Sequence, residues 1–276
     1  MRALPQRPRY HIPMNAELTR TIPFCLRADG SLDADAPTDN TFSAWPPMRG
    51  LGRYYAIHVT CAGQVDQPTG YMVNIKIIDQ AVRQHVLPLI AQAAQQAPTA
   101  MDTLMQRSIA ALDGQLPRPV ARLTLQLTPH HSLSIEANDM AHVTIAQQYD
   151  FSAAHRLHVP SLSDEDNRKT FGKCNNPSGH GHNYKVEVAA RVAVSPDGSA
   201  ADVAPLDAIV DQTIIERFDH KHLNEDTPEF ADLNPSVENI AKVIFDLLIE
   251  PIATLNAELE HVRVWETEKT VCTYRG

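Results

Sequence analysis

Two glycine-anchored segments of this 276-residue protein share one skeleton, and that repeat restricts the possible folds more than any single motif does. Residues 50–79 read GLGRYYAIHVTCAGQVDQPTGYMVNIKIID, and residues 179–207 read GHGHNYKVEVAARVAVSPDGSAADVAPLD. Aligned on their glycines, Gly50, Gly52 and Tyr55 match Gly179, Gly181 and Tyr184. After a one-residue gap, Gly70, Asn74 and Asp79 keep the spacing of Gly198, Asp202 and Asp207. Upstream, Phe42-Ser43-Ala44 echoes Phe151-Ser152-Ala153. Chance similarity of two strand–turn–helix segments is the bland alternative, and the shared register of several glycines favours duplication. In this alignment Leu51 and Arg53 stand where His180 and His182 stand, and Pro46 falls near the place of His155. The expected division is therefore 1–140, a structural or partner copy, and 141–276, the working half.

Periodicity supplies the elements. Residues 143–157 read as a strand ending in FSAAHRL. Over 182–194, Tyr184, Val186, Val188, Val192 and Val194 share one face, while Lys185, Glu187 and Arg191 share the other. Asp197-Gly198 marks a turn. From Pro205, the residues Leu206, Ile209, Val210, Thr213 and Ile214 follow helical spacing, with proline tolerated at the first helical position. A second helix is expected to start at Ser236, a capping serine, and HVRVWETEKTVCTY alternates as a strand pair. The order is ββααββ. The first half repeats it less clearly, with helix over roughly 75–112 and closing strands in ARLTLQLTPHHSLSIE.

A hydrophobic share of 43% and a charged share of 21% fit a globular protein with a core. The net charge of −9 argues against a nucleic-acid surface, which needs a positive field. Cys25, Cys61, Cys174 and Cys272 are widely spaced with no CxxC pair, the pattern of a reduced cytoplasmic protein rather than a disulfide scaffold. No run approaches the ~18 apolar residues of a membrane span. The start MRALPQRPRYHIP is basic without an apolar core, so it reads as a loose arm and not as a signal peptide.

The chemistry concentrates in FGKCNNPSGHGHNY, residues 171–184. His180 and His182 leave an extended strand from one face and can converge on one metal ion, with His155 as a third imidazole. Each histidine alone is more often a satisfied polar-pocket residue; the G-H-G-H repeat beside a third histidine favours metal. Zinc suits an all-imidazole set with an open position, and no carboxylate cage for magnesium or calcium is present. Cys174 lies in a polar, turn-rich stretch, where a neighbouring lysine and a dication are expected to lower its pKa and make it a general base. Cys61 and Cys272 sit in apolar strand patterns and read as small hydrophobes. Asp219 and His220, in FDHKHLNED, read either as a charged helix end or as an acid–base pair, with His222 a less certain member. Glu266 shares strand parity with Val262 and Val264, so its carboxylate points with an apolar set and needs a partner, such as the paired N–H and amino groups of a heterocycle.

The ordered motifs FSAAHRL, FGKCNNPSGHGHNY, FDHKHLN and VWETE closely resemble the 6-pyruvoyltetrahydropterin synthase and 6-carboxytetrahydropterin synthase family over Ala141 to Gly276. That resemblance implies an α+β fold of tandem T-fold units, each ββααββ with an antiparallel sheet and two helices on one face. It implies a zinc-dependent lyase acting on 7,8-dihydroneopterin triphosphate, in tetrahydrobiopterin or queuosine (7-deazaguanine) synthesis. By motif, His155, His180 and His182 would hold Zn2+, Cys174 would be the base, and Asp219 with His220 the acid–base pair. Glu266 and Glu238 would contact the pterin. Val237 stands where some relatives carry threonine, and the spacing in CNNPSGHGH is that of the pyruvoyl-forming members. The family also implies a homo-oligomer with active sites between subunits, working without nucleic acid or membrane. The competing reading from another class is a catalytically silent pterin- or metal-binding homologue.

Overall fold

The computed structural model describes residues 15–33, 50–96, 100–195 and 201–276. Strands β1 (Asn15–Arg27) and β2 (Gly52–Gln64) open the first half, and β3 (Val120–Thr128) and β4 (His131–Glu136) close it. Between them run α1 (Ile75–Ala81), a π turn at Val82–Val86, α2 (Leu87–Gln95) and α3 (Met101–Ala110). The second half opens with β5 (Asp139–His155), α4 (Asp164–Phe171) and β6 (His180–Ala193). Its helices are α5 (Ala204–Val210), a π turn at Asp211–Ile215, α6 (Glu216–Phe218), α7 (Leu223–Asp226) and α8 (Val237–Ala253). The two-residue strand β7 (Lys221–His222) precedes α7, and β8 (Ala257–Thr267) and β9 (Thr270–Tyr274) finish the fold.

All strands join one sheet in the order β1-β2-β3-β4-β5-β6-β8-β9. Neighbours along this path are antiparallel, while β7 pairs in parallel with Ala153 and Ala154 of β5. The seam between the halves is the β4–β5 ladder, with Leu133 opposite Ile145. Asp102 of α3 is fully buried beside this seam and accepts hydrogen bonds from Ser195 N and Oγ at 2.8 and 3.1 Å. The molecule is therefore an α+β structure on a continuous antiparallel sheet.

Physical details recur between the halves. Asn74 accepts from Lys76 N at the start of α1, and Asp202 accepts from Ala204 N at the start of α5. Ile78, Val82 and Val86 are buried at the spacing of Leu206, Val210 and Ile214, and in both halves a π turn follows an α segment of 7 residues, one residue apart in this register. Asp79 receives Arg20 from β1, as Asp207 receives the Tyr149 hydroxyl from β5. The Phe42–Ala44 echo, Pro46, Asp197-Gly198 and the first fourteen residues lie outside the described residues. The strand that pairs with β2 as β5 pairs with β6 is β1, so the upstream alignment is corrected. His182 faces Ala153 across its ladder and Arg53 faces Leu26, which puts the counterpart of His155 at Ala28, beyond the end of β1.

Tyr184, Val186 and Val188 are fully buried on the helix side of β6, as the alternation predicts. The opposite face carries charge. His261 stands between Glu187 (Nε2 to Oε1, 3.3 Å) and Glu260 (Nδ1 to Oε1, 3.4 Å). Arg263 reaches Glu187 at 3.1 Å, Arg275 approaches Glu260 at 3.6 Å, and Thr144 donates to Glu260. Burial pulls His261 down, but hydrogen bonding to Glu187 and Glu260 outweighs it and raises the imidazole above 6.5. Hydrogen bonding to His261 foremost, opposed by burial and aided by Thr144, takes Glu260 from 4.5 to about 2.

The raised His261 stabilises the fold fully below its unfolded value, and this contribution fades as pH climbs through the folded one. The lowered Glu260 stabilises above its unfolded value and ceases to do so as pH falls toward about 2. The contribution of this pair should therefore be greatest between the unfolded values of 4.5 and 6.5, while the lowered His155 acts against stability as pH falls below 6.5. With Glu260 37% exposed, solvent screening holds its limb to about 1 kcal/mol. The difference in urea midpoint between wild type and His261→Gln, followed across pH, checks this and should shrink as pH rises above 6.5.

Candidate active site

β5 ends and β6 begins at the same edge of the sheet, with His155 directly opposite His180 and Ala153 opposite His182. The alternation that buries Tyr184 and Val186 turns His180 and His182 to the same side. The three imidazoles crowd together, with ring centroids 4.5 Å (155–180), 5.2 Å (155–182) and 4.8 Å (180–182) apart. One ring nitrogen from each lies within 4.8 Å of the others.

His155 is fully buried, and its Nδ1–H donates to the Pro235 carbonyl at 2.7 Å, which leaves Nε2 as a lone pair facing the cluster. Burial, more than the neighbouring histidines, lowers it to about 4, so it stays neutral at physiological pH. Its Nε2 lies 3.1 Å from Nε2 of His180, and the buried Nε2 of His182 has no hydrogen-bond partner among the described residues. His155 thus presents a lone pair beside two further imidazole nitrogens, all within 4.8 Å of one another, a donor set that fits a divalent metal.

Gly179 makes the approach possible. Its φ is +67°, and a Cβ there would lie 2.6 Å from Nε2 of His222 and 3.0 Å from the His155 carbonyl oxygen. His222, on β7 beside Ala154, is thereby brought against the histidine cluster.

Glu266 comes from β8 on the face of the buried Val262 and Val264, with Oε1 3.5 Å from His155 Nε2 and 3.8 Å from His182 Nε2. Cys174 sits in a 3-10 turn at Gly172–Asn175, tied back to the segment leaving His155 by Leu157 N–H donating to the Cys174 carbonyl. Burial first, and then the Glu266 carboxylate, push the thiol up. The thiol is therefore raised, opposite to the lowering expected from Lys173, whose side chain is exposed.

The remaining residues stand apart. Asp219 accepts from Ser152 N at 2.8 Å and from His220 Nδ1 at 2.7 Å, and the Ser152 bond foremost holds its carboxyl below the usual range. The His220 ring is 83% exposed, on a backbone with φ +57°. Glu238 is exposed in the first turn of α8, and no hydrogen bond or ion pair among the described residues joins it to the histidines.

Asn167, on α4, is a site residue that the motifs do not reveal. It is fully buried; its amide donates to the carbonyls of Val159, Leu162 and Ser163, and its Oδ1 accepts from Val159 N. It shapes the loop between the histidine strand and the cysteine turn. The available signal is Ser163 followed by Asp164, Glu165 and Asp166, a capped acidic first turn. Asn167→Ala should cost about 2–4 kcal/mol by leaving buried backbone groups unpaired, measurable by urea titration.

The family model for 6-pyruvoyl tetrahydropterin synthase matches residues 144–276. A 6-pyruvoyl tetrahydrobiopterin synthase of Poecilia reticulata is 43% identical over 134 residues, covering 48% of this protein and 89% of the relative. The Homo sapiens protein of that name is 42% identical over 135 residues, covering 48% and 90%. The protein belongs to the 6-pyruvoyl tetrahydropterin synthase family. The solved structure of the Caenorhabditis elegans 6-pyruvoyl tetrahydropterin synthase is 39% identical, covers 49% of this protein and 96% of that one, and has a TM-score of 0.46.

The family match leaves residues 1–143 outside it. Ladder register identifies what stands there in place of the site. Ala56 pairs with Gln126 as Lys185 pairs with Trp265, so Leu127 holds the position of Glu266. Arg53 and Leu51 hold those of His182 and His180. The first half offers no equivalent cluster of imidazole and carboxylate at this end of the sheet among the described residues.

Proposed function

We propose that this protein is a zinc-dependent lyase that converts 7,8-dihydroneopterin triphosphate to a 6-pyruvoyl product. The observation that carries the reading is the convergence of His155, His180 and His182, with Glu266 at their edge and Cys174 within its electrostatic reach. Zinc bound by the three imidazoles would supply Lewis acidity toward the oxygens of the substrate's hydroxylated tail. Cys174 takes a proton from a carbon of that tail as general base once its thiol is ionised. Glu266 accepts from the pterin ring N–H and amino group, with Glu238 as a further contact. Asp219 fixes the His220 tautomer and leaves the far ring nitrogen free to move a proton. The exposure of His220 supports its action at the site of another copy in a homo-oligomer. The CNNPSGHGH spacing and the relatives' names favour the pyruvoyl over the carboxy product. Residues 1–140 are proposed as a second, degenerate T-fold domain, supported by the matching helix starts, π turns and Asp79/Asp207 bonds.

The test is to incubate zinc-loaded protein with 7,8-dihydroneopterin triphosphate and identify products by mass spectrometry. A 6-pyruvoyl product with released triphosphate is expected. A 6-carboxy product with acetaldehyde would move the protein to the other branch, and pterin binding without turnover would defeat the lyase reading.

A further inference from the structure

Tyr184 follows the histidine pair on the same face of β6 and is fully buried beneath it. Its ring stacks on Phe151 at 5.0 Å and 21°, and the rings of His155 and His182 stand edge-on at 6.1 and 5.6 Å. The hydroxyl is buried and has no hydrogen-bond partner among the described residues. The two imidazoles that flank it are the ones Glu266 approaches, with Oε1 3.5 Å from His155 Nε2 and 3.8 Å from His182 Nε2.

A buried hydroxyl without a partner destabilises a fold, and phenylalanine would fill the same volume without that cost. Nothing in the packing demands the oxygen: Phe151 and the buried Val186 on the same strand are wholly apolar neighbours. An unpaired buried hydroxyl directly beside the three-histidine set is one that a bound ligand can satisfy. We propose that the Tyr184 hydroxyl is a ligand-positioning donor that hydrogen-bonds an oxygen of the hydroxylated tail of the bound pterin. This inference rests on the pterin reading above and adds a contact to it. The tail is the part addressed because the histidine edges flank the tyrosine, while the ring donors of the pterin require an acceptor such as Glu266. At neutral pH a phenol is protonated and donates.

The test compares neopterin, which carries hydroxyls on its tail, with 6-methylpterin, which lacks them, by fluorescence titration of the full-length metal-loaded protein and its Tyr184→Phe variant. Tyr184→Phe should weaken neopterin about 5–10-fold, the worth of one hydrogen bond, and leave 6-methylpterin within about 2-fold. Metal content should be unchanged, and the Tm of ligand-free protein should be equal or higher, since an unpaired buried oxygen has been removed. Equal losses for both pterins, or none for either, overturn the proposal. A lowered Tm also overturns it, because the hydroxyl would then serve the fold. Wild type that binds neither pterin sinks the pterin reading and this proposal with it; wild type and variant that both favour neopterin equally sink the tyrosine assignment alone.

Discussion

On the proposed reading, His182→Ala should remove stoichiometric metal from the purified protein and lower turnover of the pterin triphosphate by at least about 10³-fold, while the fold survives. The first effect follows from the donor count. Three imidazole nitrogens within 4.8 Å form a complete facial set, and two of them leave a divalent ion held mostly by water. Loss of even a supporting hydrogen bond at such sites weakens metal about 10–100-fold, and loss of a ligand weakens it more. The fold survives because His182 sits at the partly exposed start of β6, with its side chain 19% exposed, and the ladder beyond it is fixed by Tyr184, Val186 and Val188. His155→Ala should be harsher on stability: that ring is fully buried and its bond to the Pro235 carbonyl anchors the start of α8. Metal analysis by mass spectrometry, beside thermal unfolding, separates the two. Retention of one metal per protomer in His182→Ala would remove that residue from the set.

The second large effect belongs to Cys174. Cys174→Ala should keep full metal content and lose about 10²–10⁴-fold in turnover, the contribution of one positioned general base. The structure sharpens what has to happen at this thiol. Burial and the Glu266 carboxylate both oppose its ionisation, so the protein alone holds it as a thiol. Only positive charge brought into the site reverses that, which couples base strength to metal occupancy. Cys174 should therefore react faster with iodoacetamide in zinc-loaded than in zinc-free protein. The reverse order, or unchanged turnover in Cys174→Ala, excludes the thiol as base.

What is readable from the sequence follows a physical pattern. The histidine triad and the β6 face emerge because a strand has a strict period of two, so the rule that buries Tyr184 and Val186 also aims His180 and His182. The Ser236 cap and the β8–β9 hairpin are equally local, and Ser236 does accept from Asn239 N at the start of α8. The misplaced features are not local. Assigning Phe42 as the echo of Phe151 relies on letters alone, whereas the partner of β2 is set by a ladder reaching back to Asn15. Lys173 looks like the group that tunes Cys174 because it is adjacent in sequence; burial and Glu266, distant in sequence, push the thiol the other way. The α4 cap and the Asn167 knot are signalled by Ser163 and its acidic turn, and are obscured by the lack of an apolar period in so polar a stretch.

The seam between β4 and β5 has a further consequence. A strand pairing between separate copies depends on mass action and weakens on dilution. Here the two partners of that ladder are sections of one polypeptide, joined by a short turn from Glu136 to Asp139. Their local concentration is set by the covalent link and not by the cell. Whatever the first half contributes to the shape of the second is thus present at every expression level, and cannot be exchanged for a different subunit.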